Sequence, residues 1–153
     1  MTDLKRIFLV EDDPKDVELT LEALAEYHLA NEVVVARDGE EALDYLFNSG
    51  KFDAFVSGNP AAILLDLKLP KVSGLEVLSR IRADEKLKMI PVIVLTSSRQ
   101  ETDLEECYKL GVNAYVVKPV DFHEFINAVK GLGMFWGLIN EPPPGSLGKA
   151  ARR

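Results

Sequence analysis

The sequence predicts an α/β domain: a five-stranded parallel sheet with helices on both faces. Short apolar runs alternate five times with stretches whose apolar residues recur at helical spacing. The runs are continuous rather than alternating, which is how strands covered on both faces read. A chain of 153 residues, 47% hydrophobic and 28% charged, suits one domain with an ordinary core.

The elements follow in order. Ile7-Phe8-Leu9-Val10 reads as the first strand. Asp13 then supplies a helix cap and Pro14 a first-turn proline, before Val17, Leu21 and Leu24 recur on one helical face. Val33 to Ala36 forms the second strand, and Asp38-Gly39 opens a helix carrying Ala42, Leu43, Leu46 and Phe47. Residues 49–60, with two glycines and a proline, make a longer connection than α/β units usually need. Ala62 to Leu65 is the third strand, and Gly74, Leu75, Leu78 and Ile81 mark the next helix. Pro91 to Leu95 is the fourth strand, followed by a helix with Leu104, Cys107 and Leu110 that Gly111 closes. Ala114 to Val117 is the fifth strand, and a last helix from about Asp121 carries Phe122, Phe125, Ile126 and Val129. We divide the chain into a domain over residues 1–140, including an extended C-terminal helix, and a flexible tail over 141–153 that starts at a triple proline.

Charge and composition exclude several classes of function. A net charge of −7 gives little grip on nucleic acid or an anionic membrane. The sequence has no apolar run of membrane-spanning length, and its start meets acid too soon for a signal peptide. A lone cysteine, Cys107, rules out an internal disulfide and a CxxC site, so the reducing cytoplasm is the expected location.

In parallel sheets of this kind functional groups gather past the carboxyl ends of the strands. Here those ends carry Glu11-Asp12-Asp13, Asp66, Thr96-Ser97-Ser98 and Lys118-Pro119. Carboxylates brought together repel one another unless a cation neutralises them. Oxygen donors without His or Cys clusters favour a hard divalent ion, Mg²⁺ first and Mn²⁺ second. Asp66, leaving a buried strand, has the setting of a nucleophile toward a phosphoryl group, and Thr96 and Lys118 have the chemistry to meet phosphoryl oxygens. Asp13 is assigned to the helix cap rather than to the metal.

These motifs, FLVEDD, ILLDLKLPKVSG, VIVLTSS and AYVVKP, resemble those of the receiver domains of two-component response regulators over roughly residues 4–135. The resemblance implies the strand order 2-1-3-4-5 and a phosphoacceptor at Asp66. It implies Mg²⁺ on Glu11, Asp12, Asp66 and the backbone carbonyl of Lys68, and a cis peptide between Lys118 and Pro119. It also implies a switch in which Thr96 and the aromatic Tyr115 respond to phosphorylation. A receiver is a signalling protein that promotes its own phosphorylation and dephosphorylation rather than a conventional enzyme, and its donor is a histidine kinase. The long connection at 49–60 and the ending GMFWGLINEPPPG resemble the stand-alone regulators that partner bacterial phytochrome kinases.

Other readings meet specific obstacles. A dehalogenase-like phosphatase wants a second acid where Lys68 stands, and a flavodoxin-like carrier wants a phosphate loop where Glu11-Asp12-Asp13 would repel the phosphate. An interaction module that is never phosphorylated remains the alternative. The C-terminal helix carries Phe135, Leu138 and Ile139 off its core-facing side, and this second apolar stripe suggests a homodimer interface. The competing possibility is a tail folded back on its own subunit after Gly131, Gly133 and Gly137 break the helix.

Overall fold

The computed structural model describes residues 6–26, 32–47, 60–97, 100–118 and 123. The elements run β1 (Arg6–Val10), α1 (Pro14–Glu26), β2 (Glu32–Ala36), α2 (Gly39–Leu46), β3 (Ala62–Leu65), α3 (Gly74–Ala83), β4 (Val92–Thr96), α4 (Glu101–Lys109) and β5 (Ala114–Val117). The five strands form one sheet in the order β2-β1-β3-β4-β5, all neighbours parallel.

Strand side chains alternate between two apolar layers because successive residues point to opposite faces. Phe8, Val10, Ile63, Leu65, Val92 and Val94 pack with residues of α2, α3 and α4. Ile7, Leu9, Ala62, Leu64, Ile93 and Leu95 pack on the other face with Val17 and Leu24 of α1. Both faces are covered, so β1, β3 and β4 can be apolar at nearly every position, and each fully buried Ile or Leu contributes about 1.5–3 kcal/mol.

Local chemistry sets the helix ends. Asp38 caps α2 by accepting from the Glu41 N–H at 2.8 Å, and Ser73 caps α3 by accepting from the Glu76 N–H at 3.2 Å. The Asp13 carboxylate accepts from the Lys15 N–H at 2.9 Å, in keeping with its assignment to the start of α1. Gly111 ends α4 with φ +75, a left-handed conformation that glycine adopts without a side-chain clash.

Two helical faces differ from the expectation. Leu21 is 36% exposed, whereas Thr20 and Ala23 are buried with Val17 and Leu24. At 100° per residue the stripe through positions 17, 20 and 24 leaves Leu21 on its rim. Leu104 is likewise 36% exposed, and Cys107 alone is the fully buried side chain of α4. The connection at 49–59 and the elements expected after β5 lie outside the described residues, apart from His123, which is exposed on a helix. Phe135, Leu138, Ile139 and the tail are therefore not described either.

Candidate functional site

The parallel ladder continues one residue beyond three strands and fixes the site's backbone. The Glu11 N–H donates to the Ala36 carbonyl at 3.0 Å, that of Asp66 to the Val10 carbonyl at 3.1 Å, and that of Lys118 to the Thr96 carbonyl at 2.8 Å. Three side chains from distant parts of the sequence are thereby set over one edge of the sheet. Glu11, Asp66 and Thr96 are buried, whereas Asp12 and Lys68 are exposed.

Glu11, Asp12 and Asp66 each offer a carboxylate oxygen within 4.8 Å of the others. The Lys118 ammonium stands among these acids, donating to Glu11 at 2.5 Å, Asp16 at 2.9 Å and Asp66 at 3.2 Å. Three carboxylates thus share one ammonium and Asp12 adjoins two of them, an excess of negative charge that a divalent cation would balance. Hard oxygen donors fit Mg²⁺ or Mn²⁺ and offer nothing to a thiophilic metal.

The electrostatics follow from burial. Desolvation pushes the Glu11 carboxyl up to about 7, and the Asp66 charge adds to the rise, while hydrogen bonds from Lys118 and from the Asp13 N–H oppose it. Burial alone would lower the Lys118 ammonium; its bonds to Glu11 and Asp16 and the charge of Asp66 prevail and raise it. Lys118 therefore stays charged and Glu11 is the soft member of the cluster.

The loop after β3 is held closely. Its Lys68 N–H points back at the Asp66 carboxylate, at 3.3 Å, and the Gly74 N–H donates to the Leu67 carbonyl at 2.9 Å. Gly74 lies so close that a methyl group there would meet the Asp66 carbonyl oxygen at 2.2 Å. Tyr115, in register with Val94, packs partly buried against the layer of α2, α3 and α4.

The expected residues Glu11, Asp12, Asp66 and Lys118 come together at one edge, with Thr96 at the end of β4 beside them in the sheet. Pro119, and with it the peptide expected to be cis, lies outside the described residues. Sequence reasoning missed Asp16, which reaches Lys118 from the first turn of α1. The available signal was its place two residues after Pro14: the proline fixes where the helix starts and so where its first-turn acid projects.

Residues 7–130 match the family described as the response regulator receiver domain. The chain is 40% identical over 132 residues to the response regulator Rcp1 of Synechocystis sp., covering 86% of this chain and 88% of that one. A solved structure of Rcp1 in an Mn²⁺-bound form superposes with a TM-score of 0.75 at 39% identity, over 92% of this chain and 99% of that one. The bacteriophytochrome response regulator RtBRR gives a TM-score of 0.81 at 59% identity, covering 98% of this chain and 90% of that one. The phosphorylated cyanobacterial phytochrome response regulator RcpA gives 0.74 at 46% identity, covering 88% and 94%. A match that runs from the first strand past Lys118, with the same strand order in the sheet, makes this chain a member of the response regulator receiver-domain family.

Proposed function

We propose that the chain accepts a phosphoryl group from the phosphohistidine of a histidine kinase onto Asp66, in a Mg²⁺-dependent reaction, and signals through altered protein contacts. The supporting observation is a buried Asp66 carboxylate with Glu11 and Asp12 within 4.8 Å and the Lys118 ammonium at 3.2 Å. A carboxylate oxygen of Asp66 attacks phosphorus, the phosphorus–nitrogen bond breaks, and its electron pair returns to the imidazole nitrogen, leaving an acyl phosphate. In hydrolysis water attacks phosphorus, loses a proton to solvent and restores the carboxylate as inorganic phosphate departs.

Glu11, Asp12, Asp66 and the Lys68 backbone carbonyl would hold the cation, which supplies charge to offset the phosphoryl oxygens when bound. Lys118 pairs with one phosphoryl oxygen and the Thr96 hydroxyl donates to another. Drawing Thr96 and the end of β5 toward the phosphoryl group shifts Tyr115 and the surface near α4. The names of RtBRR and RcpA favour a bacterial phytochrome as the kinase. We place the protein in the cytoplasm as a homodimer joined through Phe135, Leu138 and Ile139, with no role for nucleic acid or membrane; among the described residues no helix is long and apolar enough to cross one.

Incubation with acetyl phosphate and Mg²⁺, followed by intact mass measurement, tests the chemistry: one added phosphoryl group, abolished by chelation, is expected. An unchanged mass, with the protein folded and Mg²⁺ present, would favour the unphosphorylated interaction module. Sedimentation of the full chain and of a Phe135→Ala/Leu138→Ala variant tests the dimer, which a monomer at micromolar concentration in both phosphorylation states would defeat.

A further inference from the structure

Lys118 has three carboxylate partners, and they are not equivalent. Glu11 and Asp66 belong to the acidic cluster that would receive a cation, whereas Asp16 stands outside it. Asp16 comes from a different element, the first turn of α1, and its side chain is 33% exposed against 4% for Glu11 and 7% for Asp66. A divalent ion on Glu11 and Asp66 takes up the charge they now share with Lys118. The Asp16 carboxylate keeps its full claim on the ammonium, at 2.9 Å.

We propose that Asp16 is a positioning residue that holds the Lys118 ammonium at the α1 side of the site and competes with a phosphoryl group on Asp66 for it. The inference rests on the phosphoacceptor reading above. Asp16 sets how far Lys118 favours the unphosphorylated state: the ammonium must give up its bond to Asp16, in whole or in part, to pair with a phosphoryl oxygen. Removing the negative charge of Asp16 lowers that barrier to exchange and tilts the equilibrium toward the phosphorylated arrangement. A partly exposed ion pair of this kind bears on the equilibrium by roughly two- to fivefold.

The plain structural alternative is that Asp16 only stabilises α1, as an acid in the first turn of a helix does. Asp16→Asn removes the charge with little change of shape, and Asp16→Glu restores it on a longer arm. Beryllofluoride, which mimics a phosphoryl group on a carboxylate, is titrated at saturating Mg²⁺ into the wild type and both variants. We expect Asp16→Asn to bind it about two- to fivefold more tightly and Asp16→Glu to return toward the wild type. Affinity unchanged or weakened in Asp16→Asn overturns the proposal, as does a loss of thermal stability as its sole effect. A second arm needs no cation: the ¹⁵N resonance of the Lys118 ammonium in metal-free protein should move in Asp16→Asn and recover in Asp16→Glu, and an unmoved resonance also overturns it. Failure of the wild type itself to bind beryllofluoride counts against the phosphoacceptor reading, while the resonance still judges the Asp16–Lys118 pair.

Discussion

Replacing Gly74 with alanine should damage the site more than the fold. Gly74 begins α3, and an ideal Cβ there lies 2.2 Å from the Asp66 carbonyl oxygen, 2.6 Å from the Leu67 Cα and 3.0 Å from the Asp66 carbonyl carbon. Comfortable contact needs about 3.5 Å, so the two segments must part by about 1 Å. All three obstacles are backbone atoms, and no side chain can rotate away to absorb the methyl group. Overpacking of this sort costs about 1–3 kcal/mol, against a helix-propensity gain of about 0.5–1 kcal/mol. A net loss near 1–2 kcal/mol should lower the urea midpoint by roughly 1 M, given slopes of about 1–3 kcal/mol/M. The displaced residue is the proposed nucleophile, and a misplacement of about 1 Å can cost a reaction about 100-fold. Labelling by acetyl phosphate should therefore fall well beyond what the unfolded fraction explains. Gly111→Ala provides the contrast. At φ +75 it is strained by about 1–2 kcal/mol, but its nearest obstacle is the Arg82 Nε at 3.5 Å, far from the acids, so stability should drop while labelling of the folded protein holds. A Gly74→Ala protein with the wild-type midpoint and labelling rate would refute the reasoning.

Arg82 donates to the carbonyls of Lys88, Ile90, Leu110 and Gly111 at 2.9–3.0 Å, so Arg82→Met should cost about 2–4 kcal/mol by urea denaturation; a loss under about 0.5 kcal/mol would contradict this. Burial, and after it the charges of Asp103 and Glu106, pushes the Cys107 thiol up to about 11 from 9.0, so a thiol reagent at pH 8 should label the folded protein far more slowly than the urea-unfolded one. Because the folded state binds the thiol proton more tightly, this group's contribution to stability is complete below pH 9 and is lost as pH rises toward 11, which denaturation at pH 8 and pH 10 can detect. The exposed Lys68 side chain is placed to pair with a phosphoryl group or obstruct attacking water, so Lys68→Ala should shorten the life of the phosphorylated state; an unchanged hydrolysis rate removes that side chain from the mechanism.

The architecture was legible because β1, β3 and β4 are covered on both faces and so read as unbroken apolar runs. Glu11, Asp66 and Lys118 were legible because each directly follows a short apolar run. The order of the strands was not: short apolar runs carry no label for their neighbours, and the order came from the resemblance to receivers. Asp16 was hidden by distance: its place after Pro14 sets it in the first turn of the helix, but its partner lies 102 residues away in the sequence. Leu21 and Leu104 were misjudged because periodicity finds the centre of a helical stripe more surely than its rim.

The central claim is phosphoryl transfer to Asp66, and it is tested most directly with a phytochrome-type histidine kinase autophosphorylated on labelled ATP. Mixed with Mg²⁺ and the wild-type chain, the kinase should lose label as the chain gains it, and the Asp66→Asn variant should gain none. Stable label on Asp66→Asn would contradict the assignment of the acceptor, and an unlabelled wild type, with both kinase and acceptor folded, would contradict the pairing with this kind of kinase.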